Sequence, residues 1–230
     1  LLPEELEQAF SHIKKNAHIT LEGMCSHFAD ADSQNSAFTH DQIGQWNSIV
    51  KKAQNEFPSL KYIHLSNTPG HAFAEKIEAN VSRLGIGLYG LIDINGFELK
   101  PVLEMKIVLT CIKKIKKGDM VGYGGTFIAD HDMTIATIPV GYYEGLDRRL
   151  SNKGWVKING NEVPIVGRVS MNITTLDIST IKDAKIRDDV QVISPIKSNK
   201  NSLRSFAEIC QTITYELVVK IPGTIKRKII

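Results

Sequence analysis

Two hydrophobic periodicities divide this chain, and the change from one to the other limits its fold more than any other feature. In the first part, helix-like segments alternate with short apolar runs. Pro3 to Lys15 opens on proline, has acids in its first turn and lysines in its last, and so predicts a helix. Thr20 to Phe28 reads as a strand, and Thr39 to Asn55 as a helix with Ile43, Trp46, Ile49, Val50 and Ala53 on one stripe. Lys61 to Leu65 reads as a strand, His71 to Ala79 as a helix, and Val81 to Tyr89 as a third strand. This alternation predicts a parallel sheet with helices outside it. Three strands cannot close a barrel of eight, so the region is either a small open sheet or the last part of a barrel.

From about Pro101 helical periodicity fades and short strands take over: Leu103–Thr110, Thr134–Ile138, Trp155–Ile158, Val163–Gly167, Ile173–Leu176 and Asp189–Ile193. Asn159-Gly160 between WVKI and NEVPIV predicts a tight hairpin. One helix, Ser202 to Cys210, interrupts an otherwise all-β second half. The fold class expected is therefore α/β followed by a mostly β domain, with a boundary between residues 98 and 99.

Composition narrows the function classes. The net charge is +3, and the densest basic run, Lys113-Lys114 with Lys116-Lys117, has no interleaved aromatics, which favours a solvated face over nucleic-acid contact. Cys25, Cys111 and Cys210 are far apart and in apolar surroundings, as expected of buried free thiols in a reducing compartment. No cysteine–histidine spacing suggests a metal, and no apolar run reaches membrane-spanning length. The first residues lack the layout of a signal peptide, so the cytoplasm is the expected location.

Several stretches carry residue types poorly suited to simple packing. Ser26-His27-Phe28-Ala29-Asp30 and His64-Leu65-Ser66-Asn67-Thr68 each follow a predicted parallel strand, where such folds place ligands; the first also reads as structural, the second as a helix cap. Arg83-Leu84-Gly85-Ile86-Gly87 sets an arginine beside glycines that permit close backbone approach, or else forms an edge salt bridge. In the β half, Val121-Gly122-Tyr123-Gly124-Gly125 and Gly141-Tyr142-Tyr143-Glu144-Gly145 flank tyrosines with glycine, and a tyrosine hydroxyl serves as acid or base once its pKa of about 10 is lowered. Packing of turn aromatics is the competing interpretation. Gly167-Arg168-Val169-Ser170-Met171-Asn172 completes the set.

Taken together, HLSN, RLGIGLYG, VGYGG, IPVGYYEG, PIVGRVSMN and ITYE, in that order, closely resemble the alanine racemases. The resemblance implies a pyridoxal 5'-phosphate enzyme: a barrel whose mouth holds the cofactor on a lysine, a mostly β domain, and a homodimer whose subunits share active sites. It makes residues 1–98 the C-terminal part of the cofactor-binding barrel and residues 99–230 the C-terminal β domain. It makes Tyr123 the base that exchanges the α-proton, donated by the partner subunit. Arg83 would donate to the pyridine nitrogen, and His27 would pack against the ring and link Arg83 to the tyrosine. Thr68, the Gly85 and Ile86 backbone and Tyr215 would hold the phosphate. Met171 would bind the substrate carboxylate and Tyr142 would narrow the entrance. The activity implied is interconversion of L- and D-alanine for peptidoglycan precursors in the cytoplasm of a bacterium. A broader, serine-type racemase or an inactive truncated homologue are the other readings.

Two departures from the family pattern stand out, Tyr143-Glu144 where Ala-Asp is common and Asn172 where an aspartate follows the methionine. The strand motif that carries the cofactor lysine is not found in these residues. The expectation is therefore a C-terminal portion without that lysine, either complemented by an N-terminal part as a separate fragment or left as a product of proteolysis.

Overall fold

The computed structural model describes residues 2–32, 36–94 and 97–229, and they form two compact units, Leu1–Leu99 and Lys100–Ile230. In the first, a short turn of 3-10 helix at Pro3–Glu5 leads into α1 (Leu6–Lys15), followed by β1 (Gly23–Cys25), α2 (Ala37–Glu56) and β2 (Tyr62–His64). Ser36 caps α2 by accepting a hydrogen bond from the Thr39 N–H. The predicted stripe is the buried one: Ile43, Trp46, Val50 and Ala53 are covered, and Phe28, Leu65 and Phe73 complete the core.

Strands β1 and β2 pair in parallel, Gly23 opposite Tyr62 and Cys25 opposite His64. The third strand expected over Val81–Tyr89 does not form among the described residues; Ile86–Tyr89 is a turn of 3-10 helix, as is Pro69–Lys76 where an α-helix was expected. The reason is a side chain. Asn80 turns its carboxamide onto the free edge of β2, accepting from the Ile63 N–H at 2.9 Å and donating to the Lys61 carbonyl at 2.7 Å. These are contacts a neighbouring strand would make; the Asn80 and Val81 N–H groups then share the Ile63 carbonyl and the Arg83 N–H reaches the Ser66 carbonyl, so the segment runs beside β2 without a regular ladder.

The second unit pairs all its described strands antiparallel, with one isolated parallel bridge between Ser194 and Ser202. Its strands are β3 (Met105–Val108), β4 (Cys111–Ile115), β5 (Met120–Val121), β6 (Phe127–Ile128), β7 (Met133–Ile138), β8 (Trp155–Ile158), β9 (Asn161–Pro164), β10 (Thr174–Asp177) and β11 (Asp189–Ile193). They form sheets ordered β10-β7-β4 and β3-β11-β8-β9, with β5 and β6 as a separate hairpin. Helices α3 (Leu203–Cys210) and α4 (Thr214–Val219) close the chain. The β8–β9 turn has Asn159 at φ 49° and Gly160 at φ 83°, the left-handed pair that a two-residue hairpin demands. The lysine doublets lie on and just after β4, an edge strand, where Lys116 pairs with Asp132 at 2.7 Å; charge there discourages pairing with a foreign strand. Of the three free thiols only Cys210 is buried; Cys25 is exposed and Cys111 intermediate, contrary to the expectation for all three. No described helix is long and apolar enough to cross a membrane.

The fold thus corrects the expectation of a C-terminal barrel remnant: the chain combines an α/β unit built on a two-stranded parallel sheet with a β unit. Replacing Asn80 by Ala leaves the half-buried Ile63 N–H without its acceptor and is expected to cost about 1–3 kcal/mol. Chemical denaturation of the α/β unit, followed by tryptophan fluorescence of Trp46, checks this; an unchanged midpoint would mean that water replaces the carboxamide without loss.

Candidate active site

Because β1 and β2 run in parallel, both release their chains at the same edge. Ser26-His27 follows the first and Leu65 to Thr68 the second. Arg83 spans the gap. Its Nη2 donates to the Ser26 carbonyl at 3.0 Å, to the Leu65 carbonyl at 3.2 Å and to His27 Nδ1 at 2.9 Å. Its Nη1 donates to His64 Nδ1 at 2.5 Å. A guanidinium carries only donors, so both imidazoles must accept through Nδ1 and hold their protons on Nε2. Burial, with the charge of Arg83 second, pushes the His64 pKa down and favours this neutral form. The Nε2 of His27 lies 3.3 Å from Asn67 Nδ2, whose partner oxygen already accepts from the Gly70 N–H. That contact sets two donors face to face, so the His27 Nε2–H is available to another acceptor. His64, to which sequence gave no role of its own, is the principal addition here; the signal was its place at the end of an apolar strand.

Thr68 is 1% exposed, and its hydroxyl oxygen accepts from the N–H of Gly85 at 3.0 Å and of Gly87 at 3.4 Å. With both lone pairs engaged, what remains is the O–H proton, a donor suited to an anion. Gly87 is needed for this approach, since a Cβ there would stand 2.7 Å from Thr68 Cγ2, while a Cβ on Gly85 would meet only open space. The Gly85 N–H, expected to serve a phosphate, is committed to Thr68, whereas Ile86 turns its side chain into the core.

In the β unit, Tyr123 rides the loop joining β5 to β6 and is 72% exposed. Gly122, Gly124 and Gly125 have φ of 76°, 71° and 55°, a left-handed path that raises the tyrosine off the hairpin. A Cβ on Gly122 would stand 3.0 Å from the Arg168 nitrogen, so the loop lies against the Gly167–Asn172 segment. The same segment holds the Tyr142 turn: the Tyr142 N–H donates to the Ser170 carbonyl at 3.0 Å and the Tyr143 N–H to the Met171 carbonyl at 2.9 Å. The two departures from the family pattern meet here, with Asn172 donating to Glu144 at 2.7 Å. Glu144 also accepts from the Gly141 N–H at 2.8 Å. Tyr123, Tyr142 and Met171 are thus organised by one stretch of backbone.

Tyr215 sits apart, on α4, whose neighbour Glu216 joins a charged knot. Asp147, 8% exposed, accepts from Arg149 Nε at 2.9 Å, Arg149 Nη2 at 2.8 Å and Lys220 at 3.0 Å. Glu216 accepts from Lys220 at 2.6 Å, from Arg149 at 3.1 Å and from the Thr212 hydroxyl. Arg149 holds the Asp147 carboxyl well below the usual carboxylate range, and Lys220, Thr212 and Arg149 draw Glu216 down to about 2. Burial pushes the neighbouring Cys210 thiol up to about 11, which leaves it unreactive. A cavity of about 290 Å³ lined by Arg148, Arg149, Ser151 and Arg168 opens nearby; of these only Arg168 lies in a stretch singled out from sequence, and none of the expected site residues lines it. Among the described residues no cluster of His, Cys, Asp and Glu is arranged to hold a metal.

Family comparisons decide the lineage. Residues 1–93 match the model for the alanine racemase N-terminal domain and residues 102–229 that for the alanine racemase C-terminal domain. The chain belongs to the alanine racemase family. It is 32% identical over 230 residues to the alanine racemase of Halothermothrix orenii, covering 98% of this chain and 61% of that protein. It is 34% identical to the alanine racemase of Clostridium novyi, covering 96% and 59%. The crystal structure of alanine racemase from E. faecalis superposes with a TM-score of 0.83 at 27% identity over 96% of this chain and 59% of that one. The Clostridium difficile 630 alanine racemase in complex with cycloserine gives 0.83 at 29% identity over the same shares, 96% and 59%. The chain therefore spans about three fifths of the length of these relatives.

These matches correct three linked expectations. The chain is not confined to the C-terminal domain, because the N-terminal domain of the family is represented over residues 1–93. An N-terminal part is accordingly not a separate partner fragment, since it belongs to this same chain. With that domain present, lack of the cofactor lysine is not a property to assign to this protein.

Substituting Asn172 by Asp would set a second carboxylate 2.7 Å from Glu144. The thermal midpoint of the β unit is expected to fall at pH 7 and to recover on acidification, which relieves repulsion between paired carboxylates. Equal midpoints for variant and parent at pH 7 would remove Glu144 as the partner. The charged knot has the opposite pH sense. Its carboxyls titrate lower folded than unfolded, so their stabilisation is complete above an unfolded value of about 4 and is lost as pH falls toward the folded values. Urea midpoints should hold from pH 7 to 5 and drop below about pH 4; Asp147→Asn should flatten that drop.

Proposed function

We propose that the protein interconverts L- and D-alanine with pyridoxal 5'-phosphate, supplying D-alanine for peptidoglycan precursors in the bacterial cytoplasm. Residues 1–98 would contribute to the cofactor cradle and residues 99–230 the substrate-facing tyrosines. The observation that carries this reading is the donor array of Arg83 across the ends of β1 and β2, with His27 and His64 as its acceptors. Family membership and the order of the motifs support it.

The residues suit that cofactor. Thr68 offers a buried hydroxyl with only its proton left to give, and the space above Gly85 is open. Thr68, the Ile86 backbone and the Tyr215 hydroxyl would hold the phosphate, Gly85 contributing room rather than a donor. Pyridoxal phosphate, when bound, supplies the electron sink that makes the Cα–H of an amino acid acidic.

Arg83 keeps its proton under any ordinary condition, so it orients an acceptor nitrogen by hydrogen bonding without protonating it. This favours proton exchange over side reactions that need a stronger sink. Tyr123, as the base, takes or returns the Cα proton at its hydroxyl oxygen. Its exposure in this chain suits donation to a second copy, as the family resemblance implies. His27, with Nδ1 on Arg83 and a proton on Nε2, would connect the two. Racemisation requires exchange on both faces of the substrate, so a second base must oppose Tyr123, the role that the resemblance gives to the lysine. Met171 would present its N–H to the substrate carboxylate, its carbonyl being fixed by Tyr143. Tyr142 narrows the entrance, which favours a small side chain by clash and desolvation.

The direct test is incubation with L-alanine and pyridoxal phosphate, with D-alanine followed by a D-amino-acid-oxidase-coupled assay. Tyr123→Phe is expected to lower the rate by about 10²–10⁴-fold with little change in cofactor affinity. An unaltered rate in the variant would remove Tyr123 as the base, and no D-alanine from the parent would overturn the reading.

A further inference from the structure

Helix α4 has only six residues, Thr214–Val219, and no side chain caps its start. A helix this short has no stability of its own and takes its orientation from what holds it. Little apolar surface does so, since Leu217 is its one buried residue and Val219 is 79% exposed. Leu217 anchors one side, and charge fixes the other. Glu216 within the helix and Lys220 just after it both enter the knot around Asp147 and Arg149. Arg149 also donates to the Cys210 carbonyl at 3.1 Å, which ties in the end of α3, and a Cβ on Gly145 would meet Ile221 Cα at 3.0 Å. The knot therefore joins four places: the Asp147–Arg149 turn, the end of α3, α4, and the backbone beyond it.

Tyr215 is the residue before Glu216, one step of about 100° around the helix axis. Any rotation of α4 that frees Glu216 carries the Tyr215 hydroxyl with it. We infer that Asp147, Arg149, Glu216 and Lys220 form a positioning device for Tyr215, and that they set how strongly the protein grips the phosphate of its cofactor without touching it. The inference rests on the reading of Tyr215 as a phosphate-binding residue.

The test compares pyridoxal phosphate with pyridoxal, which lacks the phosphate, as ligands of the parent protein and of Asp147→Asn, Glu216→Gln and Tyr215→Phe, by quenching of tryptophan fluorescence. A general loss of structure weakens both ligands together, whereas misplacement of Tyr215 weakens only the phosphorylated one. Asp147→Asn and Glu216→Gln are each expected to weaken pyridoxal phosphate by about tenfold, the worth of one hydrogen bond, and pyridoxal by less than about twofold. Tyr215→Phe should do the same, and adding Asp147→Asn to it should produce no further loss. If Tyr215→Phe changes the ratio and the two knot variants do not, the positioning role is overturned while the reading of Tyr215 stands. If Tyr215→Phe leaves the ratio unchanged, that reading fails and the inference with it. Should Asp147→Asn not fold, as judged by circular dichroism, the more exposed Glu216→Gln decides alone.

Discussion

A guanidinium has five N–H donors and no acceptor, and the α/β unit is arranged around that asymmetry at Arg83. Two parallel strands of three residues each are followed by backbone carbonyls that lack a ladder partner, and His64 at the end of one and His27 just past the other offer nitrogen lone pairs. Arg83 satisfies the Ser26 and Leu65 carbonyls and both imidazoles from one planar group. Everything chemically suggestive in that unit follows. The histidine tautomers are dictated by the arginine, His27 is left with a proton to share, and the chain after Arg83 is placed so that Gly85 and Gly87 can reach the Thr68 hydroxyl.

The β unit solves a similar problem with backbone instead of charge. Its functional turns are pressed against one stretch, Gly167 to Asn172, so closely that side chains are excluded at the contacts; a Cβ on Gly141 would fall 2.1 Å from the Ser170 carbonyl. Such contacts fix tyrosines that the core does not bury. The same turn brings Glu144 and Asn172 into contact. An amide is a partner that a carboxylate can take at that distance without charge repulsion.

Legibility from sequence followed the range of the interactions. The helix over residues 37–56, the β8–β9 hairpin and the mostly β character of the second half rest on local periodicity and turn chemistry, and were readable. The strand expected over Val81–Tyr89 was not, because its loss depends on Asn80 folding back across the chain to Ile63. Strand β4 was obscured by lysines that look like a solvated run until their edge position is known. Motif residues of the site were found by resemblance, but the commitment of the Gly85 N–H to Thr68 and the capture of His64 by Arg83 are matters of angle and distance that composition does not encode. The knot around Asp147 was invisible, its members being separated by up to 73 residues.

Asn80 has a further meaning for the life of the chain in solution. An open strand edge is a template on which a foreign β-segment can grow, and proteins usually guard it with another strand, a charge or a bulge. Here a carboxamide occupies the hydrogen-bonding groups of Lys61 and Ile63 that an incoming strand would need first. Together with the backbone N–H groups of Asn80 and Val81, which take the Ile63 carbonyl, that side chain leaves this edge of the two-stranded sheet with few free groups for a foreign strand.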